Sequence, residues 1–128
     1  MTLGTLVVTI GREATPLLGF APVIALEPPA NEISGPLAAD LAACVREGMS
    51  NVVRHAHAHS VELVGRIERS TLTLTLRDDG DGIRSSRRSG LANLAQRTKE
   101  HGGQFEVSSP ADGGTLLTWD IPLTSRGD

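Results

Sequence analysis

Large aromatic rings are nearly absent from this 128-residue chain: Phe20, Phe105 and Trp119 are the three it has, and there is no tyrosine. The core must therefore be aliphatic, and the stacking platforms that hold single-stranded nucleic acids are excluded. Cysteine is limited to Cys44, which can form neither an internal disulfide nor a multi-thiolate metal site. It fits a reducing, cytoplasmic setting and is most simply a small buried residue. Positive charge is not in excess either. A formal net charge of -3 gives no footprint for a nucleic-acid backbone, so any phosphate contact has to be local. No apolar run approaches the roughly 20 residues a membrane span needs, and no basic region followed by a hydrophobic stretch opens the chain. These absences lead to the expectation of a soluble domain without direct membrane contact.

What is present suffices for one core: 39% hydrophobic and 21% charged residues are near the globular average. Glycine and proline punctuate the chain without forming a linker, so residues 1–128 read as a single domain. Residues 3–18 are ambiguous, since Leu6, Val7 and Ile10 suit a helix face while the β-branched run 7–10 suits a strand. Residues 21–27 read as a strand closed by Pro28 and Pro29. Residues 36–57 form the clearest helix, with Ser34 placed as N-cap and Pro36 in the first turn. A hairpin of strands at 60–68 and 70–77 follows, then a glycine-rich turn. A second helix spans 89–101 before Gly102 and Gly103, and two strands at 104–108 and 114–123 finish the chain. This order predicts an α/β sandwich, a mixed sheet covered on one face by helices.

On a helical wheel, Glu47, Asn51, Arg54 and His55 share one polar arc, opposite an apolar stripe of Ala38, Leu41, Ala42, Val45, Met49, Val52 and Ala56. The arc reads either as a solvated surface or as oxygen ligands for a hard cation beside donors for phosphate oxygens. His55 and His59 stand at i, i+4 spacing, but with no carboxylate or cysteine near them in sequence a metal site is disfavoured.

In the strand 71–78 the alternation of leucine and threonine is clean, and strand parity puts Asp78 on the leucine face. A carboxylate buried there costs several kcal/mol unless it accepts hydrogen bonds, roughly on the scale of other buried polar groups. Two readings stay open: an Asx-turn that satisfies the local backbone, or an acceptor for a ligand amino group such as that of adenine. Asp79 and Asp81 are expected to point to water. Gly80 and Gly82 let the backbone pass close to a ligand, and Gly90 near a helix N-terminus suits an anionic phosphate. Thr115 shares parity with Leu117, Trp119 and Ile121, so its hydroxyl converges on the face that carries Asp78.

Taken together, these strings resemble the GHKL ATPases. REGMSNVVRHAHA (46–58) is similar to their N box, RDDGDGI (77–83) to their G1 box, SGLANLAQR (89–97) to their G2 box, and GGTLLTWDIPL (113–123) to their closing strand. The motif-bearing core is about 36–123. Within the superfamily the patterns look most like sensor histidine kinases of the NarL/DesK-partnered class, with a weaker similarity to actinobacterial haem-based dormancy kinases. The resemblance implies a Bergerat-type two-layer fold that binds ATP with Mg2+. Asn51 would then ligate Mg2+, with Arg54 and His55 near the triphosphate and Glu47 polarising the incoming nucleophile or orienting the metal shell. Asp78 would accept from the adenine amino group. Gly80 and Gly82 would shape the pocket floor, Gly90 and Leu91 would lie by the nucleotide, and Thr115 would support the adenine end.

The resemblance further implies transfer of the γ-phosphoryl group to a histidine on a separate dimerisation domain, relay to a response regulator, and a homodimeric full-length protein. Two alternatives stand beside it: an anti-sigma-type protein serine kinase of the same fold, and a non-catalytic nucleotide-sensing module. The segment 83–89, with Arg84, Arg87 and Arg88, is shorter than the usual ATP lid, and its arginines read as an exposed basic loop or as phosphate contacts.

Overall fold

The ambiguous opening segment is a helix. In a computed structural model, which describes residues 1–81 and 88–123 except for the side chains of His55, Ala56 and residues 88–90, helix α1 spans Leu3–Leu18. Leu3, Val7, Ile10 and Ala14 recur at three- and four-residue intervals and are buried, a helical stripe that outweighs the β-branched run. The ends are capped: Thr2 Oγ1 accepts from the Thr5 amide, and Gly19, at φ 88°, donates its N–H to the Thr15 carbonyl.

Strand β1 (Val23–Leu26) is shorter than the sequence suggests. Helix α2 (Gly35–Asn51) starts at Ser34, whose extended backbone takes the N-cap place without a side-chain capping bond. It runs on into a single π turn, Val52–Ala56, and His57 reverses the chain at φ 53°. β2 (Val61–Glu68) and β3 (Thr71–Asp78) form the expected hairpin. The turn residues Arg69 and Ser70 both have positive φ, the backbone that matches strand twist in a two-residue loop. Helix α3 (Arg88–Glu100), β4 (Gln104–Ser108) and β5 (Thr115–Pro122) complete the chain. α3 stops at Gly102, φ 75°, with the Gly103 amide donating back to the Thr98 carbonyl.

The five strands lie in the order β1-β2-β3-β5-β4. Only β1 and β2 are parallel; the other pairs are antiparallel. Along β3 the leucines are buried and the threonines are half-buried, and in β5 Leu117, Trp119 and Ile121 are buried while the residues between them are not. The helices therefore cover one face, the two-layer α/β sandwich the sequence predicts. Trp119 is fully buried, its ring 5.3 Å from that of Phe105. Asp40 on α2 holds α3 in place, 2.6 Å from His101 Nε2 and 3.5 Å from Arg97. No helix among the described residues is long and apolar enough to cross a membrane.

Candidate functional site

Strand β3 is central in the sheet, and its final residue, Asp78, pairs in register with Thr115, the first residue of β5. Both are buried, at 4% and 3% exposure. The close passage that makes this pairing possible depends on Gly114. It lies at φ +86°, and any Cβ there would run into the Asp78 carbonyl, so only glycine fits. Helix α2 crosses above them. Gly48 lies directly over Leu76 and Leu117, and an added Cβ would sit 2.8 Å from a Leu76 methyl, so the missing side chain lets the helix backbone come down onto the sheet. One turn on, Asn51 reaches the same spot at 6% exposure. These residues, with Val52 and Leu91, line a narrow, nearly closed cleft whose free volume, about 10 Å³, is that of a single water.

The cleft is chemically incomplete. Asn51 Nδ2 and Thr115 Oγ1 are buried without a hydrogen-bond partner, an arrangement that costs about 1–3 kcal/mol for each group left unsatisfied. Asp78 Oδ1 accepts from the Gly80 amide at 2.8 Å. The Asx-turn and the buried carboxylate at the cleft wall therefore coexist in one residue. A carboxylate, a carboxamide and a hydroxyl gathered on an apolar floor of Leu76, Leu91 and Leu117 suit a flat, nitrogen-rich heterocycle that offers both donors and acceptors.

The polar arc read from the wheel divides. Asn51 turns into the cleft, whereas Arg54 is exposed, Glu47 is more than a third exposed, and their charges stand 3.9 Å apart on the solvent side. Neither lines the cleft. Cys44 and Gly48 are also buried and extend the apolar stripe round the wheel as far as Asn51. Those two small residues are the signal that would have predicted its burial. Desolvation pushes the Cys44 thiol up to about 11, in keeping with a buried, unreactive group. The side chain of His55 and the position of Gly82 lie outside the described residues, as do Arg84, Arg87 and the side chain of Arg88. Gly90 is in the first turn of α3, next to Leu91.

One expectation is extended and one corrected. Asp79 is exposed, as its position in the turn allows, and its Oδ1 also accepts from the backbone amides of His59 at 2.7 Å and Ser60 at 2.9 Å. The Ser60 and then the His59 bonds hold its carboxyl below the ordinary range. Asp81 Oδ2 lies 2.6 Å from His57 Nδ1, so a carboxylate does stand beside the histidine run. Both contacts join segments about twenty residues apart in the chain, which local pattern cannot reveal. Among the described residues, no group of three or more His, Cys, Asp or Glu side chains is placed to hold a metal ion.

Residues 37–125 match the family described as Histidine kinase-, DNA gyrase B-, and HSP90-like ATPase. Similar curated proteins include the sensor histidine kinase LiaS of Bacillus subtilis, 34% identical over 83 residues that make up 62% of this chain and 23% of LiaS. Another is the signal transduction histidine-protein kinase/phosphatase UhpB of Salmonella typhimurium, 31% identical over 60% of this chain and 16% of its own length. The chain thus spans a quarter or less of these relatives. Among solved structures, the ATP binding domain of PrrB from Mycobacterium tuberculosis superposes with a TM-score of 0.74 at 24% identity, covering 98% of this chain and 96% of that one. The Erythrobacter litoralis EL346 blue-light activated histidine kinase gives 0.78 at 21% identity, over 99% of this chain and 43% of that one. The motif order, the cleft under α2 and the match across most of the sequence agree: the chain belongs to the histidine kinase-, DNA gyrase B- and HSP90-like ATPase family.

Proposed function

We propose that this chain binds Mg-ATP and serves as the catalytic domain of a two-component sensor histidine kinase, donating the γ-phosphoryl group to a histidine on a separate dimerisation domain. The observation that carries the reading is the pair of partnerless buried polar atoms, Asn51 Nδ2 and Thr115 Oγ1, beside Asp78. Adenine fits Asp78 and Thr115, since its exocyclic amino group donates to a carboxylate and its ring nitrogens accept from a hydroxyl, which leaves Asn51 for the phosphate end. Most of the catalysis in phosphoryl transfer is positioning and charge neutralisation, and the roles divide accordingly. Asp78 and Thr115 hold the base over Leu76 and Leu117. Asn51 offers a carboxamide oxygen of the kind that ligates Mg2+, whose remaining ligands are typically phosphate and water. Mg2+, where bound, neutralises developing charge on the phosphates. Arg54 supplies a cation, and Glu47, held near it, orients the incoming imidazole.

The names of the relatives favour a histidine over a serine acceptor. A kinase of this kind would have a response regulator as its onward partner, a homodimeric whole protein and a cytoplasmic location for this domain. The Arg-Glu-x-x-x-Asn-x-x-Arg-His-Ala string supports the NarL/DesK-partnered class. Calorimetry of this chain with ATP, with and without Mg2+, tests the reading. Wild type binds and Asp78→Asn binds about 10- to 100-fold more weakly, the worth of a hydrogen bond to a charged group; equal affinities refute the adenine assignment. Asn51→Ala, which removes the ligand oxygen, keeps adenosine binding and loses the gain that Mg2+ confers.

A further inference from the structure

We infer that Asp79 is a positioning residue for the phosphate end of the nucleotide, setting where the C-terminal end of α2 stands relative to the adenine-binding carboxylate. The inference rests on the ATP-binding reading above and goes beyond it, because Asp79 does not line the cleft. The site is built on two walls. One is the end of the paired strands β3 and β5 at Asp78 and Thr115; the other is the last turn of α2, which carries Asn51 and continues through the π turn 52–56 to His57. A π turn is uncommon and frequent at functional sites, and after the reversal at His57 the direction of the helix end depends on what anchors residues 57–60.

That anchor is Asp79. Register pairs Val61 with Asp78, so Asp79 lies one step past the ladder, opposite Ser60. Its backbone amide donates to the Ser60 carbonyl at 3.4 Å, and its carboxylate takes the next two amides, of Ser60 and His59. Bonds from backbone amides to a carboxylate are short and roughly twice as strong as neutral ones. The neighbouring His57–Asp81 contact reaches a side chain, whereas Asp79 holds two main-chain amides. Asp79 therefore fixes the path of the backbone at 59–60, and it does so from the residue adjacent to Asp78, coupling the base-holding carboxylate to the helix end that faces the phosphates.

A brace of this kind affects ligands unequally. Adenosine needs only the sheet-side wall, whereas Mg-ATP needs both. With affinities measured by NMR titration at pH 7, Asp79→Ala is expected to weaken Mg-ATP about tenfold while leaving adenosine within twofold of wild type. Asp79→Asn, whose amide oxygen can still accept both backbone N–H groups, restores most of the Mg-ATP affinity. Equal losses for both ligands, or no loss for either, overturn the inference, since general loosening of the fold would weaken both alike. Should Asp79→Ala prove unfolded, Asp79→Ser retains one acceptor and carries the same comparison. Failure of the wild type to bind either ligand would instead overturn the ATP-binding reading, and the inference with it.

Discussion

One face of β3 holds two environments a few residues apart. Leu72, Leu74 and Leu76 stand opposite Ile121, Trp119 and Leu117, all nearly or fully excluded from water. Two residues further on, the same ladder pairs Asp78 with Thr115, equally buried but polar, under a helix residue whose amide nitrogen has no partner. Burial is the same at both ends; satisfaction is not. The first end contributes to folding stability through apolar area removed from water. The second costs stability, the kind of cost that natural proteins carry where function outweighs it.

Substitutions along this face should separate the two ends. Leu74→Ala is expected to cost about 2–5 kcal/mol in urea unfolding, through lost transfer energy and a residual cavity, and to reduce nucleotide binding only through the unfolded fraction. Thr115→Val should do the reverse. Removing a partnerless hydroxyl leaves stability unchanged or raises it by up to about 1 kcal/mol, while ATP affinity falls several-fold; a large loss of stability would mean that the hydroxyl is already satisfied.

A pH experiment sharpens the contrast at the turn. The folded carboxyl of Asp79 is lowered by the amides of Ser60 and His59. Its stabilisation is therefore complete above the usual carboxylate value of about 4 and is lost as pH falls through the lowered value. Asp79→Ala should be less stable than wild type at pH 7 and converge on it in acid; parallel curves would show that the two bonds do not persist in solution. Smallest of all, Arg77→Ala removes an exposed pair with Asp112 at 3.3 Å on the open face, and should cost less than about 1 kcal/mol.

Much of the molecule was legible because its periodicities are strong. The leucine–threonine alternation placed Asp78 on the buried face, and the parity of 115–121 placed Thr115 beside it. The apolar stripe of α2 was legible too, but it was drawn too narrowly: leaving out Cys44 and Gly48 grouped Asn51 with the exposed Arg54 in one polar arc, although those two residues carry the buried arc round to Asn51. Residues 3–18 stayed undecided because β-branched side chains suit both readings; capping by Thr2 and Gly19 settles the matter. Asp79, Asp81 and Asp40 act across the fold, on His59 and Ser60, His57, and His101, and no local pattern encodes such partners.

Gly48 shows how finely the cleft is gauged. A single methyl there would push on Leu76 and Leu117, and would meet them before anything else. The spacing between helix and sheet beside Asp78 and Thr115 is set by a hydrogen atom on a residue with no side chain of its own. Replacing it with alanine would work like a shim, lifting Asn51 away from Asp78 and Thr115 while all three side chains stay unchanged.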